Sequence, residues 1–184
     1  MEFGDAWLED VRREIAKYRA LAENAIAQVP EERWSVRLDP EANSIALVMK
    51  HLAGNMRSRW TDFLTTDGEK SDRHRDREFE DDAGDDAASI RARWDEGWTL
   101  VSAAIDPLRA EDVARTVTIR GEPHTVAQAV QRQLTHYAYH VGQIVFLAKH
   151  LAGPGWRSLS IPRGKSREFD VRKDGSSYFA GPTP

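Results

Sequence analysis

The fold class is indicated most clearly by residues 125–151, TVAQAVQRQLTHYAYHVGQIVFLAKHL. Thr125 and Gln128 match a capping box, in which each side chain satisfies a free N–H group at the start of a helix. Apolar residues then recur at spacings of three and four, the periodicity of an amphipathic helix. Gly153-Pro154 ends the pattern, because proline cannot continue a helix. The sequence therefore predicts a long helix over about 126–151.

Three earlier segments, at about 5–29, 43–66 and 87–108, show the same periodicity. Pro30 ends the first, since the residue before a proline avoids helical geometry. Residues 67–86 are dense in charge and nearly free of apolar residues, which indicates a solvated connecting loop. An alternative is that part of this loop folds back on the helices and forms a lid or rim.

The alternation in Thr116–Ile119, followed by Arg120-Gly121, predicts a short β-hairpin before the last helix. Residues 1–155 are then expected to form one all-α domain, a four-helix bundle with this hairpin inserted. Residues 156–184 are rich in glycine, serine and proline but retain several aromatic residues. We expect them to form an irregular C-terminal tail that packs partly on the bundle.

The bulk composition excludes several classes of protein. The chain has 184 residues, 40% hydrophobic and 30% charged, with a net charge of −4 and no cysteine, so it has no disulfide and no thiolate metal ligand. Basic and acidic residues are interleaved, which disfavours a nucleic-acid partner. No apolar run suggests a membrane span and the first residues do not resemble an export signal, so we expect a cytoplasmic protein.

Three of the six histidines are candidate metal ligands. His136 and His140 are four residues apart, so their side chains lie on one face of the last helix and can converge on one ion. His51 lies beside the apolar stripe of the second helix and should also point into the bundle. The alternative is a set of core histidines bonded to each other or to Tyr137. An ion would satisfy three buried ring nitrogens at once.

Neighbouring polar residues are candidates for catalytic or supporting roles. Asn55 and Arg59 follow His51 by one and two helical turns, and Gln143 follows His140 by three residues. Asn55 and Gln143 could orient a substrate, and Arg59 could hold a carboxylate. Equally, the two amides could satisfy buried groups, and Arg59 could pair with an acidic residue of the loop at positions 69, 78 or 80.

Several motifs resemble one bacterial superfamily. They are Ser44-Ile45-Ala46, Lys50-His51-Leu52 and the run from His136 to Ile144. These motifs are similar to those of the DinB and YfiT-like metal-binding four-helix bundles, and further blocks through the loop and tail resemble one uncharacterised branch. The resemblance implies that His51, His136 and His140 form the metal triad. It also implies a homodimer, and relatives that are transferases or isomerases using low-molecular-weight bacterial thiols.

Three histidines on a divalent ion leave a coordination position open, as in catalytic rather than structural zinc sites. The expected function is a metal-dependent enzyme acting on a small molecule, either a thiol transferase or isomerase or a hydrolase. Zinc or nickel is the first choice of ion, with iron or copper as alternatives. The alternative function is a non-catalytic, metal-binding stress-response protein.

Overall fold

The computed structural model describes residues 2–165 of the chain. Its four long helices are α1 (Phe3–Ile26), α2 (Ile45–Trp60), α3 (Ala87–Ile105) and α4 (Val126–Ala152). α1 packs on α4, α2 packs on α3, and α2 also contacts α4. Short 3₁₀ turns lie at Glu31–Arg33, Arg75–Phe79, Ala110–Asp112 and Gly153–Gly155. The predicted all-α, four-helix fold is confirmed.

Side-chain caps start three of the helices where the sequence predicts starts. The Ser44 and Asp86 side chains accept hydrogen bonds from backbone N–H groups in the first turns of α2 and α3. At α4 the predicted capping box is present: Gln128 N–H donates to Thr125 Oγ1 at 3.1 Å, and Thr125 N–H donates to Gln128 Oε1 at 2.8 Å. None of the helices within residues 2–165 is both long enough and apolar enough to cross a lipid bilayer.

Three predicted helix ends lie too far along the chain. α1 ends at Ile26 and gives way to hydrogen-bonded turns before Pro30. α2 ends at Trp60 instead of continuing to about residue 66, since Asp62 adopts a left-handed backbone with φ of 50°. α3 ends at Ile105, because Pro107 has no N–H group with which to continue the helical hydrogen bonds. In each case apolar residues beyond the helix are buried by turns, which the periodicity cannot distinguish from one more helical turn.

The predicted hairpin consists of β1 (Thr116–Ile119) and β2 (Glu122–Thr125), an antiparallel pair. Arg120 and Gly121 form its two-residue turn with φ of 56° and 75°. Positive φ at both central positions is the geometry that matches the twist of the two strands. The hairpin is fixed to the preceding loop by Asp67, whose carboxylate accepts from the backbone N–H groups of Arg120 and Gly121 at 2.8 Å each.

The charged segment 67–86 folds back on α2, as the alternative interpretation proposed. Lys50, in the middle of α2, is buried and its ammonium group donates to Asp82 at 2.9 Å and to Asp85 at 2.6 Å. Burial alone would raise the pKa of Asp85, but hydrogen bonds from Lys50 and Arg93 lower that pKa to about 2. The segment therefore covers the face of α2 that would otherwise be exposed, and α2 is buried along nearly all of its circumference.

Part of the predicted tail is described. Trp156 and Leu159 are half-buried and pack against the core. The aromatic residues predicted to continue this packing, Phe169, Tyr178 and Phe179, lie outside the described residues.

Candidate metal centre

The three predicted ligands come together between α2 and α4. His51 lies on α2, and His136 and His140 occupy successive turns of α4. One ring nitrogen from each histidine lies within 4.8 Å of the others, and the Nε2 atoms of His51 and His136 are 3.1 Å apart. Two nitrogens bound to one tetrahedral zinc ion are separated by roughly 3.3 Å. The three side chains could therefore hold one ion with small adjustments.

Hydrogen bonds on the far side of the rings fix which nitrogen faces the centre. The carboxylate of Glu78 can only accept, so His51 donates to it through Nδ1, over 2.8 Å. His140 Nδ1 lies 2.9 Å from the amide oxygen of Gln143. A neutral imidazole that donates through Nδ1 carries its lone pair on Nε2. His51 and His140 thus present lone pairs to the centre, which is the arrangement that a metal ion requires.

The environment keeps the rings of α4 uncharged. The pKa of His136 is lowered to about 3, chiefly by burial, which disfavours the charged form, and also by the neighbouring rings of His140 and His51. Burial likewise lowers the pKa of His140 to about 4. His136 Nδ1 is buried with no hydrogen-bond partner among the described residues. Neutral imidazoles are the ligand form, so the donor set fits a divalent ion at neutral pH.

Glu78, the residue that orients His51, could not be selected from the sequence. Glu78 lies in the 3₁₀ turn of the charged segment, and its carboxylate also accepts from Arg73 Nε and Nη2 at 2.8 and 2.9 Å. Its neighbour Phe79 stacks on the His51 ring with centroids 4.5 Å apart. Glu78 is separated from His51 by 27 residues of chain, so no local spacing reveals the contact. Phe79, an apolar residue within a charged run, is the one signal that this turn packs against the bundle.

The three candidate supporting residues all lie at the site. Asn55 and Gln143 line the cavity above the histidines, and Gln143 bonds His140. Arg59 also lines it, and its guanidinium pairs with Glu69 at 2.9 Å and with the Gly68 carbonyl. The predicted pairing of Arg59 with a loop carboxylate is thus present.

The cavity has a volume of about 760 Å³, within the usual range for small-molecule sites. His51, His136 and His140 contribute to its lining, so the centre is open to a ligand. The other histidines lie elsewhere: His74 and His150 are exposed, and His124 bonds the Glu122 carbonyl in the hairpin. None of these three belongs to the cluster, as predicted.

Comparison with known proteins gives a family but no activity. No curated protein and no solved structure matches the chain significantly. Residues 2–165 match the family model described as "Protein of unknown function (DUF1572)". That match covers both ligand-bearing helices, the charged segment with Glu78 and the hairpin. The chain therefore belongs to the DUF1572 family.

Proposed function

We propose that this chain is a divalent-metal-binding protein and that the ion serves a small-molecule reaction in the adjoining cavity. The observation that carries the proposal is the convergence of three ring nitrogens at the base of an open cavity. Among the described residues no fourth histidine or carboxylate joins the cluster. Three protein ligands and a position for water or substrate are typical of catalytic zinc sites, whereas structural sites have four protein ligands.

A divalent ion at such a site lowers the pKa of a bound water or thiol and polarises a bound carbonyl group. The chain's own residues would supply the rest. Glu78 and Gln143 hold the rings of His51 and His140 in the ligating orientation. Asn55 would orient the reacting group. Activation of a bound thiol supports thiol transfer or isomerisation as the first reaction class, and activation of a bound water supports hydrolysis as the second.

Zinc or nickel is the proposed ion, since neutral imidazole suits both, and iron and copper are the alternatives. The resemblance to the DinB and YfiT-like bundles supports a low-molecular-weight thiol as co-substrate. On the same basis we propose a homodimer. We also propose a cytoplasmic location.

The test is elemental analysis of protein purified without an affinity tag or chelator. We expect about one ion per chain in the native protein and loss of that ion in His51→Ala and His140→Ala. His150→Ala is the matched control, because His150 is exposed near the end of α4, and it should keep the ion. Equal metal content in the native protein and both ligand variants would refute the metal centre.

Cobalt substitution then separates the reaction classes. A small thiol such as cysteamine that binds the ion as thiolate produces an intense sulfur-to-cobalt charge-transfer band, and a water ligand does not. A band that saturates with thiol supports thiol chemistry. Its absence, together with hydrolysis of an activated ester that His51→Ala abolishes, supports the hydrolase. A loaded site with neither property would support the non-catalytic alternative.

A further inference from the structure

The cavity beside the three histidines is strongly basic, although the whole chain carries a net charge of −4. Five arginines line it and no aspartate or glutamate does; the arginines are Arg59, Arg73, Arg75, Arg120 and Arg132. Clefts lined by one sign of charge concentrate ligands of the opposite sign. The composition of the lining therefore points to an anionic ligand.

Three of the five arginines pair with two carboxylates that do not line the cavity. Arg73 pairs with Glu78 at 2.8 Å, and Glu69 pairs with Arg59 at 2.9 Å and with Arg120 at 3.0 Å. These pairs hold the cavity wall together. One positive charge of this group remains uncompensated, and the remaining two arginines, Arg75 and Arg132, pair with neither carboxylate.

Arg132 has no hydrogen bond or ion pair with any of residues 2–165. It lies four residues before His136 and eight before His140, so the three side chains form one row along α4. Arg75 lies over Phe79, which in turn stacks on His51, and its ion pair with the exposed Asp76 is long, at 3.8 Å. Two weakly compensated guanidinium groups thus approach the histidines from two different elements.

Buried polar atoms in the same lining also need a partner. Asn55 and Gln133 are only 5% and 3% exposed, and their amide oxygens have no hydrogen bond within the described chain. The Nε atom of the buried Arg59 has none either. Leaving such groups unsatisfied costs about 1–3 kcal/mol each, and a bound polar ligand would remove that cost.

We propose that the cavity binds a small organic molecule that bears an oxyanion group, a carboxylate or a phosphate. Arg132 and Arg75 bind the oxyanion through charge-assisted hydrogen bonds. Asn55 and Gln133 bind uncharged polar groups of the same molecule, beside the three imidazoles. This inference rests on the proposed function in that the anionic molecule would be the substrate of the metal centre.

Calorimetric titration tests the proposal with three probes, which are succinate, its neutral analogue succinamide and inorganic phosphate. Each probe is titrated into metal-loaded and metal-free protein, since a carboxylate can also bind a metal directly. We expect succinate or phosphate to bind and succinamide not to, with affinity falling as ionic strength rises. The tighter of the two anions identifies the oxyanion.

Arg132→Gln should weaken anion binding by about tenfold or more in both preparations, and Arg75→Gln should weaken it in the same direction. Arg13→Gln is the matched control, because Arg13 is exposed on α1, pairs with Asp10 and does not line the cavity. It should bind like the native protein. Far-ultraviolet circular dichroism would check that all three variants are folded.

The outcomes separate this proposal from the metal centre. A chain that takes up no metal refutes the proposed function, yet anion binding that Arg132→Gln removes would still support the basic subsite. Conversely, a metal-loaded protein that binds neither anion overturns the subsite and leaves the metal centre intact. Equal binding of succinate and succinamide, or native affinity in Arg132→Gln, would also overturn it.

Discussion

Replacing Glu78 by glutamine tests how far the charged segment controls the histidines. In the native protein one carboxylate serves three donors, His51 Nδ1 and two nitrogens of Arg73. The glutamine side chain has the same shape but only one acceptor oxygen. Its NH₂ group must then face a donor, either the imidazole or the guanidinium. The substitution therefore removes the charge and at least one hydrogen bond without creating a cavity.

Two magnitudes follow from this geometry. Removing the carboxylate partner of a ligating histidine typically costs 10–100-fold in metal affinity, which is about 1.4–2.8 kcal/mol. Separately, a buried donor without an acceptor costs about 1–3 kcal/mol, and this term applies to the metal-free protein as well. We expect Arg73 to limit that second loss, since it also contacts Glu69, although at 3.5 Å.

Metal affinity is measured by competition with a chromophoric chelator, using zinc and nickel, and metal-free stability by urea unfolding. The control is Glu80→Gln, two residues along the same segment, because the Glu80 side chain is exposed and makes no contact to the site. The control should match the native protein in both assays. A Glu78→Gln variant within about twofold of native metal affinity would refute the role of Glu78 in orienting His51.

Three further predictions concern stability. Gly54→Ala should lower the urea midpoint and weaken metal binding, since a methyl group there would overlap the Glu78 carboxylate. In the control Gly142→Ala the methyl group meets open space on α4, and this variant should be more stable than the native protein by about 0.5–1 kcal/mol. A stabilised Gly54→Ala variant would contradict the packing of Glu78 against α2. Tyr137→Phe should lower the free energy of unfolding by about 1–3 kcal/mol in the same assay, because the Tyr137 hydroxyl accepts a hydrogen bond from buried Trp60 Nε1 at 2.6 Å. An unchanged urea midpoint would argue against that hydrogen bond. Since the pKa of Asp85 is lowered from 3.8 to about 2, the stability that its ion pairs contribute is present above pH 3.8 and is lost as the pH falls toward 2. This loss is measured by unfolding metal-free protein at a series of pH values. Asp85→Asn should flatten that part of the stability profile.

The local parts of the fold were predictable because short-range rules determine them. The start of α4 depends on Thr125 and Gln128, three residues apart, and the hairpin turn depends on Arg120-Gly121. The position of His136 and His140 on one face of α4 follows from helical spacing alone. Helix ends were less predictable, since Phe63 is buried by a turn after α2 rather than by a further helical turn.

The charged segment was not predictable in detail, since nothing in its own sequence shows what it contacts. It lacks apolar periodicity, and its position depends on ion pairs with residues far along the chain, such as Lys50 with Asp85. Lys50 itself would be assigned to a solvent-exposed face of α2, yet it is 7% exposed. Pairing between oppositely charged residues leaves no periodic pattern, so the cover over α2 and the role of Glu78 emerge only from the tertiary structure.

The charged segment 67–86 also explains how a cavity with five arginines can exist in an acidic protein. Glu69 and Glu78 hold three of those arginines, which are Arg59, Arg73 and Arg120. Asp67 fixes the hairpin turn that carries Arg120. The same carboxylate of Glu78 that positions Arg73 in the cavity wall also orients His51 at the metal centre. The wall and the ligand set are therefore coupled through one side chain. A change that displaces Glu78 must alter both, whereas Arg132 lies outside this network and can be changed without disturbing the ligands.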